Sequence, residues 1–220
     1  MILNHYFWYF HKAVPIHVCK KIIKLGLSKK SSQAITDDIN KGRTDSYRDI
    51  EKHPLTVEEK KILFDKRKNR VVWLGDSFIY KLIQPFIQTS NKSAGWNFEW
   101  DWSEAAQFGS YTKKGFYGWH TDSSANIATN TKHPYTYGKI RKISCILQLT
   151  DSKDYAGGDF QFDFKDEDPD KSKRRITTVD HLRDQGTVVC FPSFLWHRLT
   201  PLTKGKRYSL IVWSWGKPFK

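Results

Sequence analysis

The spacing of apolar residues changes near residue 96, from helical in the first section of the chain to alternating in the rest. In segment 15–27, apolar residues recur every three or four positions with lysines between them, which predicts an amphipathic helix. Thr56 and Glu59 form a capping-box pattern at the start of a second predicted helix, 56–70. A third helix is predicted over 78–91. These helices are expected to pack on a sheet.

The alternating region predicts strands separated by turns. A Gly-Gly pair, Gly157–Gly158, marks one turn, and Pro85 is expected to bend or end the third helix. The polar segments 28–55, 123–139 and 165–175 are expected to be loops. The predicted strands are 5–10, 71–74, 96–102, 105–111, 116–122, 141–151, 155–164 and 207–213, and segment 186–193 is expected to turn into a further strand that carries His197. A mainly β fold with flanking helices (α+β) follows.

The amino-acid composition is typical of a folded β-sandwich, but it does not identify a binding partner. Nine Trp, ten Tyr and fourteen Phe suit the interior between two sheets. The net charge is +14, and the positive residues are dispersed rather than gathered in one block. Such a surface can be a solvated face, or it can bind nucleic acid or an acidic peptide. No DNA-binding motif accompanies it.

Cysteine usage and hydropathy predict the compartment. Cys19, Cys145 and Cys190 lie in apolar runs without metal-type spacing, so buried free thiols in a reducing environment are expected. The first residues lack the basic region and apolar core of a signal peptide. No apolar run approaches the ~20 residues that span a bilayer. We therefore expect a cytoplasmic protein that does not contact a membrane.

The first candidate for chemistry is the pair His120 and Asp122. Because side chains alternate along a strand, the imidazole and the carboxylate would point to the same side and could hold adjacent positions on a divalent metal. A third ligand would complete a facial triad with open positions, which suits non-haem iron. The pattern is common by chance, and an exposed strand end is the simpler interpretation of the pair alone.

The last quarter of the chain supplies possible partners. His197 ends an apolar run, and Arg207 begins the apolar strand RYSLIVW. On that strand, Ser209, Ile211 and Trp213 share a face with Arg207. A buried arginine is costly unless paired, and a ligand carboxylate would pair it in a bidentate way.

Together, HxD, the distant His197 and the arginine ten residues later resemble the 2-oxoglutarate- and Fe(II)-dependent oxygenases, most closely the prolyl 4-hydroxylase-like branch. The resemblance runs from about residue 96 to 216. It implies a double-stranded β-helix (jelly roll) with iron held by His120, Asp122 and His197, and 2-oxoglutarate held by Arg207. It also implies O2 as cosubstrate, with ascorbate as a further candidate. We expect a single oxygenase domain over 1–220, in which residues 1–95 support a catalytic core at 96–216.

The resemblance suggests further site residues. Tyr111, Gln148 and Ser209 are candidates for binding the cosubstrate. Gln148 stands where relatives often carry a tyrosine, and its amide could donate to a carboxylate. Candidates for lining the substrate pocket are Tyr117, Ser144, Ile146, Phe160, Leu199, Trp213 and Arg43.

The favoured activity is hydroxylation of a prolyl residue in a protein or peptide, which the basic charge suggests is acidic. It rests on resemblance, because no residue in the sequence specifies proline. The same chemistry on nucleic acid is permitted by the charge but not favoured, since no base-flipping loop stands out. A small molecule or free amino acid is a third substrate class. A non-catalytic jelly-roll binding module is the alternative outside enzymes, and a zinc hydrolase would leave Arg207 without a purpose. The sequence does not indicate an oligomeric state.

Overall fold

A computed structural model describes residues 3–36, 54–123, 127–129, 134–164 and 175–219 of the chain. Three α-helices lie within them: α1 (Ile16–Ser28), α2 (Val57–Lys66) and α3 (Ser77–Ser93). Two short 3-10 helices, Ser152–Asp154 and Asp180–Arg183, follow later in the chain. The remaining regular structure is β.

The strands form two large antiparallel sheets. In chain order they are β1 (Trp8–Phe10), β2 (Ser32–Gln33), β3 (Arg67–Lys68), β4 (Arg70–Leu74), β5 (Trp102–Ser103), β6 (Ala106–Tyr111), β7 (Phe116–His120), β8 (Ile140–Gln148), β9 (Tyr155–Gly157), β10 (Phe160–Asp163), β11 (Ile176–Thr178), β12 (Val188–Pro192), β13 (Trp196–Leu199), β14 (Leu202–Gly205) and β15 (Arg207–Gly216). The major sheet has the order β1-β12-β8-β15-β6-β4-β2, with β5 also paired to β15. The minor sheet has the order β11-β10-β13-β7-β3, and β14 pairs with β9.

Helices α1 and α3 pack on the outer face of the major sheet. Ile79, Ile83 and Ile87 recur every fourth residue along α3, so they form one stripe and are buried. They share a core with Cys19 and Ile22 of α1 and with the outward-facing residues of β8, β12 and β15. Each fully buried Ile contributes about 1.5–3 kcal/mol of hydrophobic stabilisation, so α3 anchors the scaffold behind the site.

A second core lies between the two sheets. Phe160 and Phe162 of β10 pack with Phe191 of β12 and Leu199 of β13. This core fills the jelly-roll interior from which the site residues project. The predicted α+β jelly roll with helical support is confirmed.

The helix ends follow local sequence signals. Thr56 accepts a hydrogen bond from the backbone of Glu59, and the Glu59 side chain accepts one from the backbone of Thr56, which completes the predicted capping box. The helix ends at Lys66, earlier than expected, because Arg67 enters β3 beside the site. Pro85 lies inside α3, which continues to Ser93.

Three strand predictions need correction. Residues 96–101 form no strand although they alternate, and only Trp102–Ser103 pairs with β15. Trp96 and Phe98 instead bury their rings in the helical core, so their alternation reflects packing rather than pairing. The opening strand is limited to Trp8–Phe10. The segment before the predicted strand 207–213, which carries no strand prediction, includes β14.

All three cysteines are buried and free, as predicted. Cys145 and Cys190 lie directly opposite each other on β8 and β12. Burial raises the pKa of the Cys19 thiol to about 11. Within the described ranges, no helix is long and apolar enough to cross a membrane.

Candidate active site

Two neighbouring strands of the minor sheet bring the predicted metal ligands together. His120 ends β7 and pairs directly with His197 of β13, while Asp122 follows two residues after His120. The ligand atoms of His120, Asp122 and His197 all lie within 4.8 Å of one another. The His120 Nε2 is 3.5 Å from Asp122 Oδ1, and the His197 Nε2 is 3.5 Å from Asp122 Oδ2. One divalent cation can therefore contact all three side chains.

Backbone carbonyls orient both imidazole rings. His120 Nδ1 is 2.9 Å from the carbonyl oxygen of Gly118, and His197 Nδ1 is 2.8 Å from that of Leu195. A carbonyl oxygen only accepts, so each Nδ1 carries the proton and donates it. The lone pair of each ring is then on Nε2, which faces Asp122. This is how metal-binding histidines are usually held.

The electrostatic environment favours the metal-binding protonation states. Burial raises the pKa of the Asp122 carboxyl, but the opposing effects of the neighbouring His197, His120 and Arg141 keep it well below its usual value. Burial and the neighbouring His120 lower the pKa of His197 to about 4 against the opposing effect of Asp122. An ionised carboxylate and a neutral imidazole are the forms that bind a cation.

A pair of buried hydroxyls fixes the Asp122 carboxylate. Ser144 Oγ donates to Asp122 Oδ2 at 2.7 Å and lies 2.9 Å from Ser193 Oγ. The backbone N–H groups of Asp122 and Ser123 both donate to the carbonyl oxygen of Ser193. Ser144 and Ser193 are completely buried. The loop after β7 is therefore attached to β8 and to the end of β12.

Aromatic rings surround the histidines. The Tyr117 ring stacks on His120 with 3.5 Å between centroids, and the Arg67 guanidinium lies 4.2 Å from the Tyr117 ring centroid. Phe191 meets His197 edge to face at 4.8 Å, and the Phe160 ring centroid lies 5.5 Å from that of His197. These rings exclude water from one side of the cluster.

Arg207 occupies the far end of the interior. It is only 3% exposed, pairs in register with Tyr111, and has its guanidinium 5.9 Å from the Tyr111 ring. Its buried Nε has no hydrogen-bond partner, and in the described ranges of the chain no carboxylate pairs with it. A buried cation without an anion is costly, so the site is suited to an anionic ligand.

The residues next to Arg207 include one difference from expectation. Ser209 pairs with Gln148, and Ile211 pairs with Ile146, on the strands β15 and β8. The Gln148 amide nitrogen, however, donates to the Thr150 carbonyl at 2.9 Å and to the Tyr155 hydroxyl at 3.2 Å. Its free atom is the buried Oε1, an acceptor. In this arrangement Gln148 does not offer the donor that the sequence suggested.

Trp213 and a charged pair lie beside the Asp122 end of the cluster. Arg141 lies 4.1 Å over the Trp213 ring and binds Glu104 through two nitrogens at 2.7–3.0 Å. It also donates to the Asp122 carbonyl at 3.4 Å. The Trp213 ring is 6.0 Å from Trp73, and its buried indole N–H has no partner in the described residues.

Several of these residues carry no signal in the sequence alone. Ser193, Arg67 and Tyr155 reach the site through cross-strand register, which has no local pattern. Arg141 faces the interior because the β15–β8 ladder shifts between Ser214 and Trp215. Leu199 is buried and pairs in register with Phe160 and Tyr117. The remaining pocket candidate, Arg43, lies outside the described residues.

The side chains of this interior are suited to binding iron and a dicarboxylate. Two oriented imidazoles and one buried carboxylate form a facial set that leaves positions open, which suits Fe(II). At the other end of the same interior, the Arg207 guanidinium has a buried Nε with no partner in the part of the chain that the structure describes.

Comparison with known proteins agrees with this chemistry. The family model described as the 2OG-Fe(II) oxygenase superfamily matches residues 106–215, which contain His120, Asp122, His197 and Arg207. The chain belongs to this superfamily.

More specific relatives are hydroxylases. PKHD-type hydroxylases from Teredinibacter turnerae and Aliarcobacter butzleri are 28% and 31% identical over 107 and 106 residues, or 49% and 48% of this chain. In each case the matched region spans 41% of the relative's own length.

Solved structures share the fold at low sequence identity. A viral collagen prolyl hydroxylase from Paramecium bursaria Chlorella virus-1 has a TM-score of 0.59 and 14% identity, covering 96% of this chain and 97% of that one. A Trichoplax adhaerens prolyl hydroxylase in complex with a hypoxia inducible factor peptide fragment has a TM-score of 0.63 and 14% identity, covering 95% and 83%.

Proposed function

We propose that this protein is an Fe(II)- and 2-oxoglutarate-dependent dioxygenase that hydroxylates a prolyl residue in a protein or peptide. The observation that carries the proposal is that one interior combines a metal-binding cluster with a buried arginine that has no carboxylate partner among the described residues. His120, Asp122 and His197 would hold the iron, and Arg207 would hold the distal carboxylate of 2-oxoglutarate. Family membership and the hydroxylase relatives support the reaction class.

The chain's own residues would position the reactants and exclude water. The carbonyls of Gly118 and Leu195 keep both Nε2 atoms directed at the metal position, and Ser144 holds one oxygen of Asp122. Arg207 cannot lose its proton, so it would bind a carboxylate at any physiological pH. When bound, iron and 2-oxoglutarate supply the oxidation, in which 2-oxoglutarate, O2 and a C–H bond give succinate, CO2 and an alcohol.

The substrate would enter beside Trp213. Trp73 and Trp213 present aromatic surface next to the cluster, and Arg141 is stacked on one of them. Apolar aromatic walls suit a pyrrolidine ring, which has no polar group on its carbons. Two solved proteins of the same fold are described as prolyl hydroxylases, and one was solved with a peptide, which supports a peptidyl substrate. The single domain over 1–220, with 1–95 as support for the core, belongs to the same proposal.

The test measures succinate formed from 2-oxoglutarate by purified protein with Fe(II), with and without proline-containing peptides. Each peptide has a matched version with alanine in place of proline. Stimulation by the proline peptide alone, with a mass gain of one oxygen on proline, is the expected result. Turnover without peptide stimulation would leave the dioxygenase but overturn the prolyl substrate. Salt-sensitive stimulation by DNA or RNA would favour a nucleic-acid substrate.

Two variants distinguish the residue that binds the metal from the residue that binds the cosubstrate. His120→Ala should abolish metal binding, because two ligands remain on a site built for three. Arg207→Ala should retain metal but raise the KM for 2-oxoglutarate at least tenfold, since charge-assisted hydrogen bonds are lost. Metal content by atomic emission and KM by steady-state kinetics check both. Normal turnover by either variant would contradict the assignment.

A further inference from the structure

The phenol of Tyr155 stands at the cosubstrate end of the interior, and its proton has no acceptor among the described residues. Its oxygen lies 3.2 Å from the Gln148 amide nitrogen. The same nitrogen donates to the Thr150 carbonyl oxygen at 2.9 Å. A carbonyl requires a donor, so the amide cannot be turned over, and the Tyr155 oxygen must be the acceptor in the second contact. The phenolic hydrogen is left to donate elsewhere.

The strand pairing brings this hydroxyl into the neighbourhood of Arg207. Tyr155 in β9 pairs with Gly205 in β14, two residues before Arg207. Gln148, which contacts the phenol, pairs with Ser209, two residues after Arg207 on the same face. The turn after β9 also packs on the arginine, since a Cβ at Gly158 would lie 3.6 Å from Arg207 Cδ. Tyr155 shares its apolar core with Tyr111, the register partner of Arg207.

We infer that Tyr155 is a cosubstrate-binding residue that donates a hydrogen bond to the distal carboxylate of 2-oxoglutarate beside Arg207. The inference rests on the proposed function and adds a residue to it. Gln148 would act through Tyr155. Its amide N–H donates to the phenolic oxygen of Tyr155, and this contact orients the hydroxyl hydrogen of Tyr155 away from Gln148. Arg183, which lies 5.0 Å over the Tyr155 ring and is paired with Asp159, holds the ring in place.

One buried orphan donor supports an anion at this position. Arg207 Nε is buried without a partner within the described ranges, whereas Gln148 Oε1, also without a partner there, is an acceptor that an anion does not satisfy. Buried polar atoms are rarely left unpaired in a folded protein. A ligand carboxylate would pair with Arg207 and take the Tyr155 proton. The Gln148 Oε1 would repel a carboxylate, which restricts the anion to the side of the phenol.

The experiment measures equilibrium binding, so it does not depend on turnover. 2-Oxoglutarate is titrated calorimetrically into wild-type protein and Tyr155→Phe, each loaded with Mn(II) under nitrogen. The Kd of Tyr155→Phe should be roughly tenfold higher, because a hydrogen bond to a charged group is removed. Tyr208→Phe is the matched control: it lies on β15 with its ring stacked on Phe108 in the helical core, and its Kd should not change.

A second ligand distinguishes hydrogen bonding from packing. 2-Oxopentanoate has the same carbon chain but ends in a methyl group instead of the distal carboxylate. The preference for 2-oxoglutarate over 2-oxopentanoate, measured by competition, should fall in Tyr155→Phe by the same factor as the affinity. An unchanged preference, or an unchanged Kd for 2-oxoglutarate, would overturn the inference. Absence of 2-oxoglutarate binding by metal-loaded wild-type protein would instead overturn the proposed function.

Discussion

The Ser144 hydroxyl is the residue-scale feature with the clearest consequence for metal binding. It holds Asp122 Oδ2 at 2.7 Å in a fully buried position. We predict that Ser144→Ala weakens Mn(II) or Fe(II) binding roughly tenfold, because groups that orient metal ligands typically contribute about 10–100-fold in affinity. A fluorescence or calorimetric titration of the metal measures the effect.

The control for this prediction retains the hydroxyl. Ser144→Thr should keep most of the affinity, provided that thermal unfolding shows it to be folded. Equal metal affinity in Ser144→Ala and wild type would show that the carboxylate is fixed by the backbone contacts of Ser193 alone.

For single residues, the sequence indicates the candidate ligands of the metal and of the cosubstrate, but it does not indicate the residues that hold those ligands in position. His120, Asp122, His197 and Arg207 stand in sequence patterns that reflect their chemistry. Ser193 and Tyr155 carry no such pattern, because their roles arise from which strand lies opposite. Gln148 is buried, and the direction of its amide depends on the Thr150 carbonyl, a contact that the sequence does not indicate.

Among the elements, α1 shows how a tertiary contact can override helix propensity. Gly26 lies in α1, where alanine would normally be favoured by about 1 kcal/mol. A Cβ at Gly26 would lie 2.5 Å from the ring of Phe108, which is buried in β6. We therefore predict that Gly26→Ala destabilises the protein by about 1–3 kcal/mol through overpacking. Chemical denaturation measures it.

Gly75 offers a matched control, because nothing lies within 4 Å of its added Cβ. Gly75→Ala should change the free energy of unfolding little. A stabilised Gly26→Ala would mean that α1 can move away from β6 at low cost.

Element boundaries were predictable where the sequence contains a local signal. The capping box at Thr56 fixed the start of α2, and the isoleucine stripe identified α3 despite Pro85. Residues 96–101 were wrongly predicted as a strand, because burial of alternate rings against helices gives the same period. The ladder shift that turns Arg141 inward is likewise a property of two strands together.

For the whole molecule, the net charge of +14 gives a prediction about substrate binding. Dispersed positive charge attracts an acidic chain, and added salt screens that attraction. The KM for an acidic proline-containing peptide should therefore rise several-fold between about 50 and 300 mM salt. The KM for a neutral peptide with the same proline context should stay nearly constant, as steady-state kinetics would show. If the KM values of both peptides changed equally with salt, the positive residues would serve solvation of the surface rather than substrate binding.

One strand relates the two ends of the site. β15 begins at Arg207 and reaches Trp213 six residues later, and it pairs with β6 from Arg207 to Ile211 and with β8 from Ser209 onward. At about 3.3 Å per residue, the guanidinium and the indole originate roughly 20 Å apart, and the pairing prevents that separation from stretching. The reactants proposed to lie between them must fit a fixed length. Under the proposed function, the backbone of β15 would therefore limit the combined length of the cosubstrate and the substrate residue that fit between these two side chains.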